Sequence, residues 1–207
     1  MERRHFLRYL AGGVCGLAIT PWDAAAGTQC KGDRGHRSKV CTISVNRALP
    51  RLGVSPGKNP VAAAWLASLH MIFQYHGYSV APARIAKEAY NGTVPPMPWL
   101  HPERVSRTWV ADKGRQFVSR VEAVPVRAAD AAEALAEDQP LIVGVAGRPE
   151  VLTAMTYTGD RLGGMTIVQA LTCDPLQSKR PRIVTSPECV DVRFIMRVSL
   201  SKVLAKT

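Results

Sequence analysis

Asn59-Pro60-Val61-Ala62-Ala63-Ala64-Trp65-Leu66-Ala67-Ser68-Leu69-His70-Met71-Ile72-Phe73-Gln74-Tyr75-His76-Gly77 is the stretch on which the fold turns. Asn59 suits a helix N-cap, Pro60 fits the first turn because its missing N–H would be unpartnered there anyway, and Gly77 stops the run. Between them apolar residues cover nearly the whole circumference, from Val61 to Phe73. A helix that is apolar all round cannot lie on a surface, so this one is expected at the centre of a packed domain.

Reading outward, residues 81–90 form a second, amphipathic helix. The loop 91–100 holds Asn91-Gly92 and three prolines. Residues 102–113 read as a third helix, ended by Gly114. The character then changes. Phe117 to Val126 alternates as a strand, Ala128 to Asp138 is a short Ala/Glu helix, and Gln139-Pro140 breaks it. Leu141 to Val145 is a buried strand, followed by strand candidates at Val151–Thr158, Met165–Thr172 and Val190–Leu200, with Gly-rich turns between some of them. Helices first and a mostly antiparallel sheet after them give an α+β domain of segregated layers. It is assigned to residues 59–207. Residues 27–58 read as an irregular basic arm with one strand-like run, Val40 to Val45.

The first 26 residues read as a twin-arginine export signal. Arg3-Arg4-His5-Phe6-Leu7 supplies the paired arginines, Tyr9 to Ile19 a modest apolar run, and Asp23-Ala24-Ala25-Ala26 a small-residue cleavage site. The apolar run is too short to span a bilayer. The chain is therefore expected in the periplasm or outside the cell, with no transmembrane span after processing. Of five cysteines, Cys15 leaves with the signal. The even set Cys30, Cys41, Cys173 and Cys189 reads as two disulfides in an oxidising compartment. Three pairings exist; Cys30–Cys41 with Cys173–Cys189 closes two short loops and is preferred. A zinc site is the alternative, but the spacings contain no C-x2-C pattern, and no cofactor is implied. The net charge is +11. An anionic surface is one class of partner it would suit, but with no nucleic-acid motif and no aromatic interleaving a solvated basic surface is the preferred reading and a specific nucleic-acid partner is not expected.

Ala64-Trp65-Leu66-Ala67-Ser68 running on to Tyr75-His76-Gly77 resembles the nucleophile helix of bacterial papain-like cysteine peptidases, in the branch related to bacteriocin-processing peptidases. There the helix starts Cys-Trp-Ala-Ala and ends Tyr-x-Gly. Pro140-Leu141-Ile142-Val143-Gly144 resembles the strand before the catalytic histidine, Val151 to Tyr157 the strand carrying it, and Cys173-Asp174-Pro175 the turn after the next strand. The likeness covers about residues 55–178 and implies a papain-like fold. That chemistry uses a thiolate at a helix N-terminus, a histidine to move its proton, an acid or amide to orient the histidine, and a Gln on the oxyanion.

The matched positions hold other side chains. Ala64 stands at the nucleophile position and Lys58 at the oxyanion Gln. The histidine position falls on Arg148 or, if the later strand is the one matched, on Met165. Asp174 alone is retained, as the orienting acid. Neither Arg nor Met is a general base near neutral pH. Ser68, one turn after Ala64, is the substitute nucleophile to weigh, but no base is recognisable near it and a small core or interface residue is the preferred reading. Trp65 and Trp99 are the aromatic candidates for binding, beside the former nucleophile and on the rim of a cleft. The resemblance implies a peptidase homologue without catalysis that binds a peptide, a cell-wall fragment or a protein partner. An active hydrolase with a different residue set and a basic surface-binding module are the alternatives.

Overall fold

The computed structural model describes residues 28–32, 39–50, 58–159, 164–177, 181–185, 189 and 191–203. The expected export signal lies outside them. Among the described residues three α-helices, α1 (Pro60–Tyr75), α2 (Pro82–Tyr90) and α3 (Ala128–Ala136), accompany nine strands. The strands are β1 (Gln29–Gly32), β2 (Lys39–Ser44), β3 (Thr108–Val110), β4 (Gln116–Val124), β5 (Leu141–Val145), β6 (Arg148–Gly159), β7 (Met165–Cys173), β8 (Arg182–Thr185) and β9 (Val192–Lys202). All pairings are antiparallel, in the order β1-β2-β6-β5-β9-β4-β3, with β7 and β8 branching from β6. The α+β class expected from the sequence is the class observed. No helix among the described residues is long and apolar enough to cross a membrane.

The helix that opened the argument forms for the reasons its sequence gives. Asn59 Oδ1 accepts the Ala62 N–H at 3.0 Å, and Pro60 occupies the first turn. Chain reversal follows at Gly77, whose φ of +85° only glycine adopts without strain. Trp65, Ala67, Leu69, Ile72 and Phe73 are fully buried. Phe73 packs edge-on against Phe117 of β4, with centroids 5.0 Å apart, and beside Trp109 of β3. Trp65 donates its indole N–H to the Tyr90 hydroxyl at 2.9 Å, which ties α1 to α2. Burial pushes the Tyr90 phenol up to about 12, so it stays protonated while accepting that bond.

Two sequence expectations need correcting. Residues 102–113 are not a helix. They hold short 3-10 turns at Pro102–Arg104 and Asp112–Gly114 with β3 between them, and another such turn precedes them at Pro98–Leu100. Thr108-Trp109-Val110 is a β-prone triplet, and Trp109 gains more as a strand residue. Its ring is fully buried, it pairs with Phe117, and its N–H reaches Ser119 Oγ at 2.7 Å. Ser119 Oγ in turn donates to the Val105 carbonyl. The stretch read as an irregular arm contributes two strands: β2 pairs with β6 over six positions, and Cys41, Ile43, Val45 and Leu49 are buried. Lys39, Asn46 and Arg47 hid this from a composition-based reading.

The twelve-residue β6 organises the sheet. One of its edges takes β7. The other is shared end to end, with β5 on residues 148–152 and β2 on residues 154–159. A register shift at Thr153 marks the change, and its carbonyl accepts the Val45 N–H at 2.9 Å. Helix α1 covers the face bearing Phe117, Val121 and Met196. Helix α3 covers the opposite face, over Val143, Leu152 and Ile195. At the end of α1, Asp138 accepts the Tyr75 hydroxyl and the Asn46 N–H, so α1, the exit of β2 and the end of α3 meet in one polar joint.

Candidate functional site

The resemblance singles out the start of β6, and the local sequence explains its shape. Val145-Ala146-Gly147-Arg148 reverses the chain between β5 and β6. Ala146 and Gly147 both have positive φ, 49° and 76°, the conformation of a two-residue hairpin turn that matches the strand twist. The turn puts Arg148 first in its strand, opposite Val145, with nearly half of its side chain exposed.

Arg148 meets Asp174. Its Nη1 lies 4.0 Å from Asp174 Oδ2, and the carboxylate is buried. Asp174 Oδ1 also accepts the Leu176 N–H at 2.9 Å, closing a turn through Pro175 that fixes the acid's direction. Of the two positions the resemblance offers for a histidine, Arg148 is the one that lies against Asp174. Met165 starts β7, whose far end precedes Asp174. Nine residues at about 3.3 Å each put Met165 roughly 25–30 Å away. It is half-buried against the core and plays no part at this site.

Ala64 is buried in α1, which packs on β6. It lies in the second turn, because the helix begins at Pro60. A methyl group there offers neither nucleophile nor hydrogen bond. Lys58, next to the cap, is exposed and makes no hydrogen bond or ion pair with the described residues. Arg148 and Asp174 are thus brought together, while no polar contact links them to Lys58. Ser68 is fully buried and its Oγ has no partner among the described residues. The nearest thing to a base on its helix is His70, whose Nδ1 is bound to the Val80 carbonyl at 2.7 Å. Burial lowers the pKa of His70, against smaller opposing effects of that bond and of Asp112. Ser68 therefore sits as a core residue.

The two tryptophans separate. Trp65 is fully buried with its N–H satisfied, so it is a packing residue and not a ligand contact. Trp99 is half-buried and lies flat on Phe194 of β9, with centroids 4.3 Å apart and planes 18° apart. Phe194 rests on Gly144 of β5, where there is no space for a Cβ. Gly144 and Val145 stand opposite Pro149 and Arg148, so this aromatic stack adjoins the turn that carries the arginine. Exposed Met97 and Leu100 flank Trp99. Phe194 and Gly144 were not singled out from the sequence. A glycine inside the apolar run 141–145 is the signal that marks such a close approach.

Glu150 was also unforeseen. It is fully buried, accepts from Thr172 Oγ1 at 2.5 Å and pairs with Arg182 Nη1 at 2.9 Å, binding β6, β7 and β8 together. Its role is structural. Several surface cations are likewise committed: Arg107 reaches the Glu88 carbonyl near the end of α2, and Arg115 the Gly77 carbonyl just after α1.

Cys30 and Cys41 are joined by a disulfide across the register pair of the β1–β2 hairpin. Cys173 and Cys189, the other expected pair, lie half-buried against the core at the β7–β8 side. Compared with protein-family models, curated proteins and solved structures, the chain matches none of them.

Proposed function

We propose that the chain is an exported, catalytically inactive relative of papain-like peptidases that works by binding an extended peptide or protein segment. The observation that carries this reading is the Arg148–Asp174 pair at the start of β6. The resemblance expects a histidine and its orienting acid at these two sequence positions. A guanidinium stays protonated at any physiological pH, so it holds charge and hydrogen bonds but takes no proton. With a methyl group at position 64, attack and proton transfer are both lost, whereas the shape of a groove does not depend on them. The Trp99–Phe194 stack beside the pair supplies the apolar surface that a bound side chain needs.

Export by the twin-arginine route belongs to the same reading. The Cys30–Cys41 disulfide supports a compartment outside the reducing cytosol.

The test is reactivity. The mature protein is treated with thiol- and serine-directed covalent probes, and no stoichiometric labelling near Ala64 is expected under native conditions. Ala64→Cys with Arg148→His should create a thiol that reacts faster near neutral pH than Ala64→Cys alone, because a nearby imidazole raises the thiolate fraction. Labelling of the unmodified protein near the site would defeat the inactive reading. Equal reactivity of the single and double variants would show that the two positions do not face one another.

A further inference from the structure

We infer that the chamber beneath α3 is a binding site for a small, uncharged hydrocarbon of about six carbons. The chamber encloses about 120 Å³ between α3 and the sheet face opposite α1. It exists because of what α3 places there. Ala128 and Ala131, three residues apart and so on one side of the helix, offer only methyl groups to the space. The floor is made of apolar strand pairs in register, Val143 with Ile195 and Ala170 with Val184. Val126 also lines it and is half exposed, which marks the mouth. Native interiors hold few voids larger than a water molecule, which needs only about 10–15 Å³, so this space is far more than a packing defect.

The lining decides the chemistry of the ligand. Its polar side chains already have partners. Thr172 Oγ1 donates to Glu150 at 2.5 Å, and Cys189 Sγ donates to the Val184 carbonyl at 3.8 Å. A buried water needs two to four polar partners, so this chamber stays dry, and a polar group on a ligand would go unpaired inside it. The mouth is balanced in charge. Arg127 is the charged lining residue, and its exposed guanidinium is already held by Asp130 through hydrogen bonds of 2.6 and 3.0 Å. Arg197 does not line the chamber and stands opposite Glu122 in the β4–β9 register. An ionic ligand would therefore give up its hydration and gain no counter-charge. An apolar cavity of about 150 Å³ accepts benzene, and this slightly smaller one limits its occupant to about six carbons. The site does not depend on the reading of the Arg148–Asp174 pair.

Benzene, benzoate and benzylammonium are titrated into the full chain, with thermal unfolding and methyl NMR as readouts. Benzene is expected to bind one to one, to raise the melting temperature saturably and to shift the methyl resonances of Val143 and Ile195 through its ring current. Benzoate and benzylammonium should each bind at least about tenfold more weakly, because neither charge meets a partner. Arg127→Gln should leave benzene binding unchanged. Ala131→Leu fills the chamber and should abolish binding while preserving or raising the melting temperature. Ala170→Leu does the same from the opposite wall if the first variant fails to fold. No saturable benzene binding up to about 10 mM, or binding that survives both filled variants, overturns the inference. Benzoate or benzylammonium binding as tightly as benzene overturns the uncharged class of the ligand.

Discussion

Gly144→Ala is the most incisive perturbation of the candidate site. A Cβ built on Gly144 would lie 2.5 Å from Phe194 Cδ1, nearer still to Cε1, and 3.0 Å from Cζ. Relaxed carbon contacts sit at about 3.5–4 Å, so the ring has to retreat by about 1–1.5 Å. It has nowhere to go, because Trp99 is stacked against it at 4.3 Å. Overpacking of this kind costs about 1–3 kcal/mol. In a chain of this size that lowers the melting temperature by roughly 2–12 °C. Urea denaturation followed by circular dichroism measures the cost, and tryptophan fluorescence reports the displacement of Trp99. Phe194→Leu removes the clashing edge. The double variant should therefore be less destabilised than the sum of the singles, with a coupling of about 0.5–3 kcal/mol. A Gly144→Ala protein within about 0.5 kcal/mol of the parent, with unchanged fluorescence, would refute the packing of Phe194 on β5.

Three further outcomes are expected. Burial lowers the pKa of both His70 and His76, so the unfolded chain binds protons that the folded one refuses. Stability is then full above about pH 6.5 and falls as acid is added, by at most about 1.4 kcal/mol per pH unit for each histidine; His70→Asn should flatten the slope measured by urea denaturation between pH 7.5 and 5, and an unchanged slope would show that His70 is not held neutral. Ser68→Ala removes a buried hydroxyl without a partner and should stabilise the protein by up to about 1 kcal/mol; a loss of that size in the same melt would mean that the hydroxyl has a bonded role. Arg182→Ala strands the fully buried Glu150 carboxylate and should cost about 3–5 kcal/mol in urea denaturation near pH 7; a cost under about 1 kcal/mol would argue that the pair is solvated, as surface pairs are.

Much of the architecture was legible because its signals are local. Asn59-Pro60 and Gly77 bracket α1 through capping chemistry, and the unbroken apolar run Leu141–Val145 is β5 residue for residue. The signal fails where distant partners decide. Residues 102–113 carry turn-forming Ser106 and a plausible helical start at Pro102, yet Trp109 is claimed by Phe73 and Phe117 from other elements. β2 looks like part of a loose arm because its partner strand is far along the chain. At the candidate site, Arg148 and Asp174 were named from motif positions, and their contact depends on a turn formed by Ala146-Gly147. Glu150 gave no warning at all. A lone acid between Pro149 and Val151 looks like a solvated residue, and only the arrival of Thr172 and Arg182 makes its burial tolerable.

The shared edge of β6 has a consequence for timing. β2 docks beside the last residues of β6, and the Thr42 and Thr156 hydroxyls that meet there at 3.1 Å are 114 positions apart. At about 5–20 residues per second, roughly 6–23 s of synthesis separate the two strands. During that interval the β1–β2 hairpin can pair with itself through its backbone register, Gln29–Gly32 against Lys39–Thr42, but its second edge stays open. Helix α1 waits as well, since β6 and β9, against which it packs, are made later still. The chain is thus a late closer. The apolar residues of β2 and α1 stay uncovered until β6, and for α1 also β9, have been made.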